Sequence, residues 1–231
     1  MQGIGHIGMI MDGNRRFAKR LMRTPSMGHR WGAEKLAEVV QWCKDLNIRK
    51  ITLYTLSLEN FNRPKKEFDY LMELFKDGFD KIKDDERIPK FGIKVRVIGR
   101  TWMLPEEIQD RIRYITEKTK KNRNYTITFA MAYGGRQEIA DAAREIAVQA
   151  SEGKLEPKSI DENKLKDFLY MEDEPDLIIR TGGDHRTSNF LSFQSAYSEW
   201  FFVDKMWPEF EKEDLQEIID RFNSRERRFG R

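Results

Sequence analysis

Six short β-rich runs alternate with six longer helical patterns from one end of the 231-residue chain to the other, and few architectures accept that order. The runs fall at 7–11, 50–57, 92–98, 125–132, 176–180 and 200–203. The helical patterns fall at about 30–46, 66–86, 105–121, 135–151, 161–169 and 210–224. Ile108, Ile112 and Ile115 keep helical spacing, as do Ile139, Ala143, Ile146 and Ala150. Such alternation predicts an α/β fold with a mostly parallel sheet and helices on both faces. The first run, Ile7-Gly8-Met9-Ile10-Met11, is apolar or small throughout and reads as a strand buried on both sides. In the third, Ile93, Val95 and Val97 alternate with Lys94 and Arg96, so one face is expected to meet water. The length suits one large domain over 1–231, and no repeat or low-complexity linker divides it.

Several function classes are excluded. Forty-two Lys and Arg against 39 Asp and Glu is too even for a nucleic-acid surface over the whole protein, so no nucleic-acid partner is expected. One cysteine, Cys43, excludes an internal disulfide and a cysteine metal site, and its place beside Trp42 in a helical pattern reads as a buried structural thiol. No apolar stretch approaches the roughly 20 residues of a membrane helix. No signal peptide is evident, so a cytoplasmic location is expected. G-x-x-x-x-G-K-[ST] and G-x-G-x-x-G are both missing, which argues against a P-loop or dinucleotide enzyme.

Parallel sheets bind ligands beyond the carboxyl ends of their strands. The first strand is followed by Asp12-Gly13-Asn14-Arg15-Arg16 and the second by Ser57-Leu58-Glu59-Asn60-Phe61-Asn62-Arg63-Pro64. Tyr133-Gly134-Gly135-Arg136 follows the fourth, and Arg180 to Phe190, with Gly182-Gly183, follows the fifth. These segments would share one rim rich in guanidiniums, glycines and hydroxyls, which suits diphosphate groups. Gly13-Asn14 reads as a tight turn. Three of the segments carry Gly whose backbone N–H groups are expected to meet an anion. Asp12 then reads as a carboxylate for Mg²⁺; the alternative is a buried helix cap beside a solvated basic face, and this segment alone does not decide. His29 and His185 lie beside the anion loops and are candidates to donate to phosphate; His6 reads as structural. Phe68, Leu71, Met72, Phe75 and Phe79 form one apolar helix face, which Phe129 and Met131 are placed to meet. A core stripe is the default reading, and the wall of a tunnel for an apolar tail is the alternative.

Taken together, the chain resembles the cis-prenyltransferases, the undecaprenyl or dehydrodolichyl diphosphate synthase family. The matching stretches are H-I-G-M-I-M-D-G-N-R-R-F-A (6–18), G-H-R-W-G-A (28–33), T-L-S-L-E-N-F-N-R-P (55–64), A-Y-G-G-R (132–136), R-T-G-G-D-H-R-T-S-N-F-L (180–191), Q-S-A-Y-S-E (194–199), W-P-E-F (207–210) and N-S-R-E-R-R-F-G (223–230). They run from end to end in family order. The resemblance implies a single α/β domain with a six-stranded, mainly parallel sheet, usually a homodimer, with a product able to associate with membrane and a peripheral membrane location as the alternative to a purely cytoplasmic one. It implies Mg²⁺-dependent joining of isopentenyl diphosphate to an allylic diphosphate with a new Z double bond. Carried over, Asp12 binds Mg²⁺ and helps the allylic diphosphate leave, and Glu199 completes the metal site. Gly13, Asn14, Arg16 and His29 hold the allylic diphosphate. Ser57, Asn60 and Arg63 orient the reacting ends, with Asn60 counted as catalytic beside Asp12. Arg180, Arg186 and Ser188 grip the second diphosphate. Arg15 and Glu59 join the substrate-binding set by position, and Arg227 matches a residue that reaches across the dimer.

Three positions depart from the family pattern. Pro25 stands where relatives commonly have Arg, Asp184 where Glu is frequent, and Trp200 where less bulky apolar residues are usual. Pro25 removes one expected grip on the allylic diphosphate or passes it to Arg23. Two alternatives follow: a prenyltransferase with another acceptor or a branched product, and a non-catalytic partner subunit.

Overall fold

The structure, a computed structural model, describes residues 4–224. Six strands form one sheet: β1 (His6–Ile10), β2 (Lys50–Ser57), β3 (Ile93–Ile98), β4 (Tyr125–Tyr133), β5 (Leu177–Arg180) and β6 (Glu199–Phe202). Their order is β3-β4-β2-β1-β5-β6, and every pairing is parallel, where the sequence led us to expect a mostly parallel sheet. The helices are α1 (Asn14–Arg20), α2 (Pro25–Asp45), α3 (Lys65–Asp84), α4 (Arg87–Phe91), α5 (Glu106–Thr119), α6 (Gly135–Ser151), α7 (Glu162–Asp167) and α8 (Lys212–Asn223). None among the described residues is long and apolar enough to cross a membrane.

β1 lies between β2 and β5, and all five of its residues are buried. Its side chains alternate between two cores. Ile7 and Met9 join the larger one with Val39 of α2, Leu71 of α3, Ile112 of α5 and Leu215 of α8. Ile10 joins a smaller one with Ile178, Tyr133 and Phe190. β3 is an edge strand; Ile93 and Val95 are buried, and Lys94 and Arg96 are partly exposed, as their alternation predicts. The apolar stripe of α3 packs as core. Leu71, Met72 and Phe79 are buried, and Phe79 sits edge-on to Phe129 with ring centroids 6.0 Å apart. Burial of a side chain of that size contributes about 2–3 kcal/mol. Cys43 is fully buried, and burial pushes its thiol up to about 12, so it is inert.

Two local features differ from expectation. Gly13-Asn14 is not a two-residue turn. Gly13, at φ 104, is the N-cap of α1, and Asn14 is already helical. Helix α2 begins at Pro25 rather than near 30, because Pro25 occupies the first turn, where a missing N–H leaves no bond unmade. Gly28 and Gly32 let α2 close on α1. A Cβ at Gly28 would stand 2.1 Å from the Asn14 carbonyl oxygen, and one at Gly32 2.4 Å from Asn14 Oδ1.

His6 is structural, as expected. It is 5% exposed, its Nε2 pairs with Thr52 Oγ1 at 2.8 Å, and Nδ1 has no partner. Burial lowers its pKa from 6.5 to about 4, with the nearby charge of Asp173 opposing. The folded state therefore holds His6 neutral and must lose stability as acid protonates the unfolded chain. The loss begins below about pH 6.5 and saturates near pH 4, at roughly 3 kcal/mol. Denaturant unfolding at pH 7 and pH 4.5 should show this, and His6→Asn should flatten the dependence. An equally steep profile in the variant would refute the assignment.

Candidate active site

The strand order turns outward from β1 in two directions, first to β2 and later to β5, which is where an α/β sheet opens a crevice. Asp12 follows β1 there, and Arg180 ends β5 beside it. Arg180 Nη2 donates to Asp12 Oδ2 at 2.8 Å. Its Nη1 donates to Ser188 Oγ at 2.7 Å and to the Arg186 carbonyl. Arg180 is 3% exposed and its Nε has no partner, so a buried guanidinium is fixed in place by Asp12 and the following loop. Arg16 Nη2 stands 3.4 Å from Asp12 Oδ1 and 3.1 Å from Asp184 Oδ2. Arg186 Nη2 reaches Asp184 at 2.9 Å. Burial opposes ionisation of Asp184, but Arg186 and Arg16 outweigh it and lower its pKa.

The Asp12 backbone is held as firmly as its side chain. Thr181 Oγ1 and the Trp207 N–H both donate to its carbonyl, at 2.8 and 2.9 Å. Met206 presses on Gly13, where an added Cβ would meet it at 2.8 Å. The Trp207 indole donates to the Gly32 carbonyl at 2.8 Å, which ties the W-P-E-F segment to α2. That motif is a buttress.

A second cluster gathers on Glu67 of α3. Its Oε1 accepts from Arg63 Nη1 at 2.9 Å, lies 3.3 Å from His29 Nε2 and lies 3.7 Å from Arg15 Nε. Burial lowers the pKa of His29, and the Glu67 contact only partly offsets this. Glu67 was not singled out in the sequence, although its place four residues after Arg63 on a helix is the usual ion-pair spacing. Ser57 and Asn60 form a capping box at the turn after β2, with the Ser57 N–H donating to Asn60 Oδ1 at 3.1 Å. Glu59 is exposed on that turn. Arg15, Arg16, Arg63, Arg180 and Arg186 thus face Asp12, Glu67 and Asp184, and five cations against three anions leave an excess of two positive charges.

Five backbone N–H groups of the glycine segments already have acceptors within the fold. The Gly13 N–H donates to Asp12 Oδ1 at 2.6 Å. The Gly182 and Gly183 N–H groups donate to the carbonyls of Lys205 and Val203. Gly135 and Arg136 N–H groups are taken by the Asn189 carbonyl and Oδ1. These glycines serve turns and close approach instead: Gly182 has φ 90, and a Cβ on it would stand 2.7 Å from Arg16 Nη2. Asn14 also departs from expectation, because its side chain turns into the α1–α2 contact and donates to the Met11 carbonyl. What the rim offers is a group of guanidiniums beside the first turn of α1, whose earliest backbone bond is from the Phe17 N–H to the Gly13 carbonyl.

Other expected residues are placed elsewhere. Glu199 opens β6 in register with Leu177, and through it with Ile7. That level is roughly 10 Å below Ile10 along the sheet, so one chain does not bring Glu199 to Asp12. His185 is exposed and stacks on Phe202 at 4.8 Å, with no side-chain hydrogen bond to the arginines. Trp200, two residues earlier on the same face of β6, also stacks on Phe202, with centroids 5.9 Å apart. Arg23 is exposed at the turn before Pro25. Arg227 lies outside the described residues.

Beneath the rim, Glu138 of α6 is 0% exposed and joins three segments. It accepts from the Tyr133 hydroxyl, from Gln194 Nε2 at 3.0 Å and from the Met171 N–H at 3.3 Å.

A sequence model of the undecaprenyl diphosphate synthase family matches residues 10–230. The chain belongs to that family. The tritrans,polycis-undecaprenyl-diphosphate synthase (geranylgeranyl-diphosphate specific) of Thermococcus kodakarensis is 50% identical over 228 residues, 98% of this chain and 86% of the relative. The enzyme of the same name from Methanopyrus kandleri is 48% identical over 98% of this chain and 84% of the relative. The crystal structure of lavandulyl diphosphate synthase from Lavandula x intermedia, in complex with dimethylallyl diphosphate, superposes with a TM-score of 0.92 at 33% identity, covering 99% of this chain and 98% of that one. The family membership accounts for the shared fold and for the end-to-end spread of the motifs, which the site now divides into rim residues and buttresses.

Proposed function

We propose that this undecaprenyl diphosphate synthase family member extends geranylgeranyl diphosphate with isopentenyl diphosphate, forming Z double bonds and releasing a polyprenyl diphosphate. The observation that carries this reading is Asp12, one carboxylate fixed by Arg180 and Arg16 at the crevice, with Arg63 and Arg15 across from it. The choice of primer rests on the names of the 50% and 48% identical relatives.

The donor set fits Mg²⁺. Among the described residues no three His, Cys, Asp or Glu side chains gather as a metal cage. Mg²⁺ commonly takes one or two carboxylates and completes its shell with phosphate oxygens and water, and Asp12 is placed to be that carboxylate. Bound Mg²⁺ neutralises charge building on the leaving diphosphate. The chain's own residues do the rest. Arg16 and the Arg63–His29 side hold the allylic diphosphate, while Arg180, Arg186 and Ser188 hold the second one. The allylic C–O bond breaks and its electron pair leaves with the diphosphate. The π pair of isopentenyl diphosphate forms the new C–C bond, and a proton leaves the adjacent carbon for a diphosphate oxygen. A π nucleophile needs no activated Ser or Cys, and holding both substrates in register supplies much of the rate. Asn60 orients the turn after β2 and, as an amide, is not the base.

On the same reading the enzyme is a homodimer that works at a membrane surface, where its product partitions. Sedimentation and vesicle flotation test these two points.

Incubation with Mg²⁺, isopentenyl diphosphate and geranylgeranyl diphosphate should release diphosphate and yield a polyprenyl series with Z bonds. No turnover with primers of several lengths would sink the proposal. The similarity to lavandulyl diphosphate synthase shows that this fold admits another product, and product mass and bond geometry separate the two readings. A non-catalytic subunit should bind neither Mg²⁺ nor isopentenyl diphosphate by calorimetry. Phe79, buried on the inner stripe of α3 against Phe129, is the proposed floor for the growing chain. Phe79→Ala should shift products to greater length, and an unchanged length distribution would remove it from that role.

A further inference from the structure

The loop that carries Ser188 is bent into a conformation that its residues do not choose alone. Ser188, Asn189 and Leu191 have φ of 49, 61 and 46, all left-handed and none a glycine. Each such residue costs of order 1 kcal/mol or more, so the surrounding structure must hold it. Asn189 is held by the start of α6, whose Gly135 and Arg136 N–H groups donate to it. Ser188 is held from beneath by one side chain of β2. The Tyr54 hydroxyl lies 3.3 Å from the Ser188 carbonyl and 3.2 Å from the Tyr133 carbonyl, and its single proton serves both. The Tyr54 ring stacks on the fully buried Phe190 at 4.7 Å and 16°, so the hydroxyl is aimed by packing. Ser188 Oγ in turn accepts from Arg180 Nη1 at 2.7 Å, and Arg180 holds Asp12.

We propose that Tyr54 is a positioning residue for the second diphosphate: by holding the Ser188 carbonyl it keeps the strained turn closed and Ser188 Oγ against Arg180. The inference rests on the synthase reading, which assigns Arg180, Arg186 and Ser188 to isopentenyl diphosphate. Tyr54 touches no substrate in this scheme. It acts through the turn, and burial, which raises its pKa, keeps the hydroxyl protonated as a donor.

Tyr54→Phe retains the stacked ring and removes the hydroxyl alone. The KM for isopentenyl diphosphate should rise about fivefold, as expected for one hydrogen bond of about 1 kcal/mol. The KM for geranylgeranyl diphosphate should stay at the wild-type value. In a Ser188→Ala background the same change should add little, because both act on one contact. The inference is overturned if both KM values rise together, if kcat alone falls, or if the two substitutions are additive. Calorimetric binding of isopentenyl diphosphate separates this idea from the reading beneath it. Wild-type protein that binds isopentenyl diphosphate yet extends no primer refutes the synthase reading, and the Tyr54→Phe affinity then decides the inference. Weaker binding supports it, and equal binding refutes it. Wild-type protein that binds no isopentenyl diphosphate refutes both.

Discussion

Asp12→Asn should lower kcat by about three orders of magnitude while leaving the protein folded, since removal of a charge-stabilising group at a reacting centre costs that much. The amide keeps the size of the side chain, and its oxygen can still accept from the Gly13 N–H. It loses the charge opposite Arg180 and Arg16 and the metal affinity assigned to the carboxylate. Arg180 keeps the Ser188 hydroxyl and the Arg186 carbonyl as acceptors, so the stability cost should stay near 1–3 kcal/mol. Single-turnover rates across a Mg²⁺ titration check this. A variant with about a tenth of wild-type kcat and unchanged Mg²⁺ dependence would leave Asp12 only a structural partner of Arg180, because a metal carboxylate is worth far more than tenfold.

Glu138→Leu should destabilise the fold by about 3–5 kcal/mol, the range for stripping a buried polar network of one member. Three donors on three segments, the Tyr133 hydroxyl, Gln194 Nε2 and the Met171 N–H, converge on this carboxyl. Leucine fills the space and leaves the Tyr133 hydroxyl and the Met171 N–H without this acceptor, while Gln194 Nε2 keeps only the Met171 carbonyl. Glu138→Gln retains one acceptor oxygen and should cost about 1 kcal/mol. Burial is the largest influence on Glu138 and raises its pKa, with hydrogen bonds from Tyr133, Gln194 and the backbone of Met171 and Tyr170 opposing. A raised folded pKa means that its contribution is full below the unfolded value near 4.3 and is lost as pH rises through the folded value. The gap between wild type and Glu138→Gln should therefore widen as pH falls. Denaturant melts at pH 5 and pH 8 measure it, and a gap that narrows in acid would contradict the sign.

Six strands and six of the eight described α-helices, all but the short α1 and α4, were legible because their signals are local. β1 is apolar after His6 and buried throughout, and the spacing of Ile108, Ile112 and Ile115 places one face of α5 on the core. Asp12 was legible as a rim residue once the sheet was taken as parallel, since topology then puts it beside the end of β5. What failed needed information that residue type does not carry. Glycine in a loop says that the backbone can bend, and nothing about where its N–H points; here Val203, Lys205, Asn189 and Asp12 claim those donors. Motif membership likewise did not show that Glu199 begins β6 at the far end from Asp12, because strand register decides that. Glu67 escaped notice because a carboxylate four residues from an arginine is common on exposed helices, and only the fold brings His29 and Arg15 to it.

The placement of β1 has a consequence for how the chain is made. Ile7 pairs with Ile51 on one side and with Leu177 on the other. A ribosome therefore delivers β1 long before its second neighbour, with β2, β3, β4 and most of the helices made in between. Until then one edge of a strand that ends up fully buried lacks its partner, and the helices that follow can dock on only half of their sheet. Folding of such a parallel, long-range topology is intrinsically slow and open to aggregation. Arrested nascent chains ending before Leu177 should be protease-sensitive and bound by chaperones, with protection appearing once β5 has cleared the exit tunnel. The carboxylate at the end of the first strand is thus synthesised well before the arginine that fixes it, and waits for β5 to reach its working position.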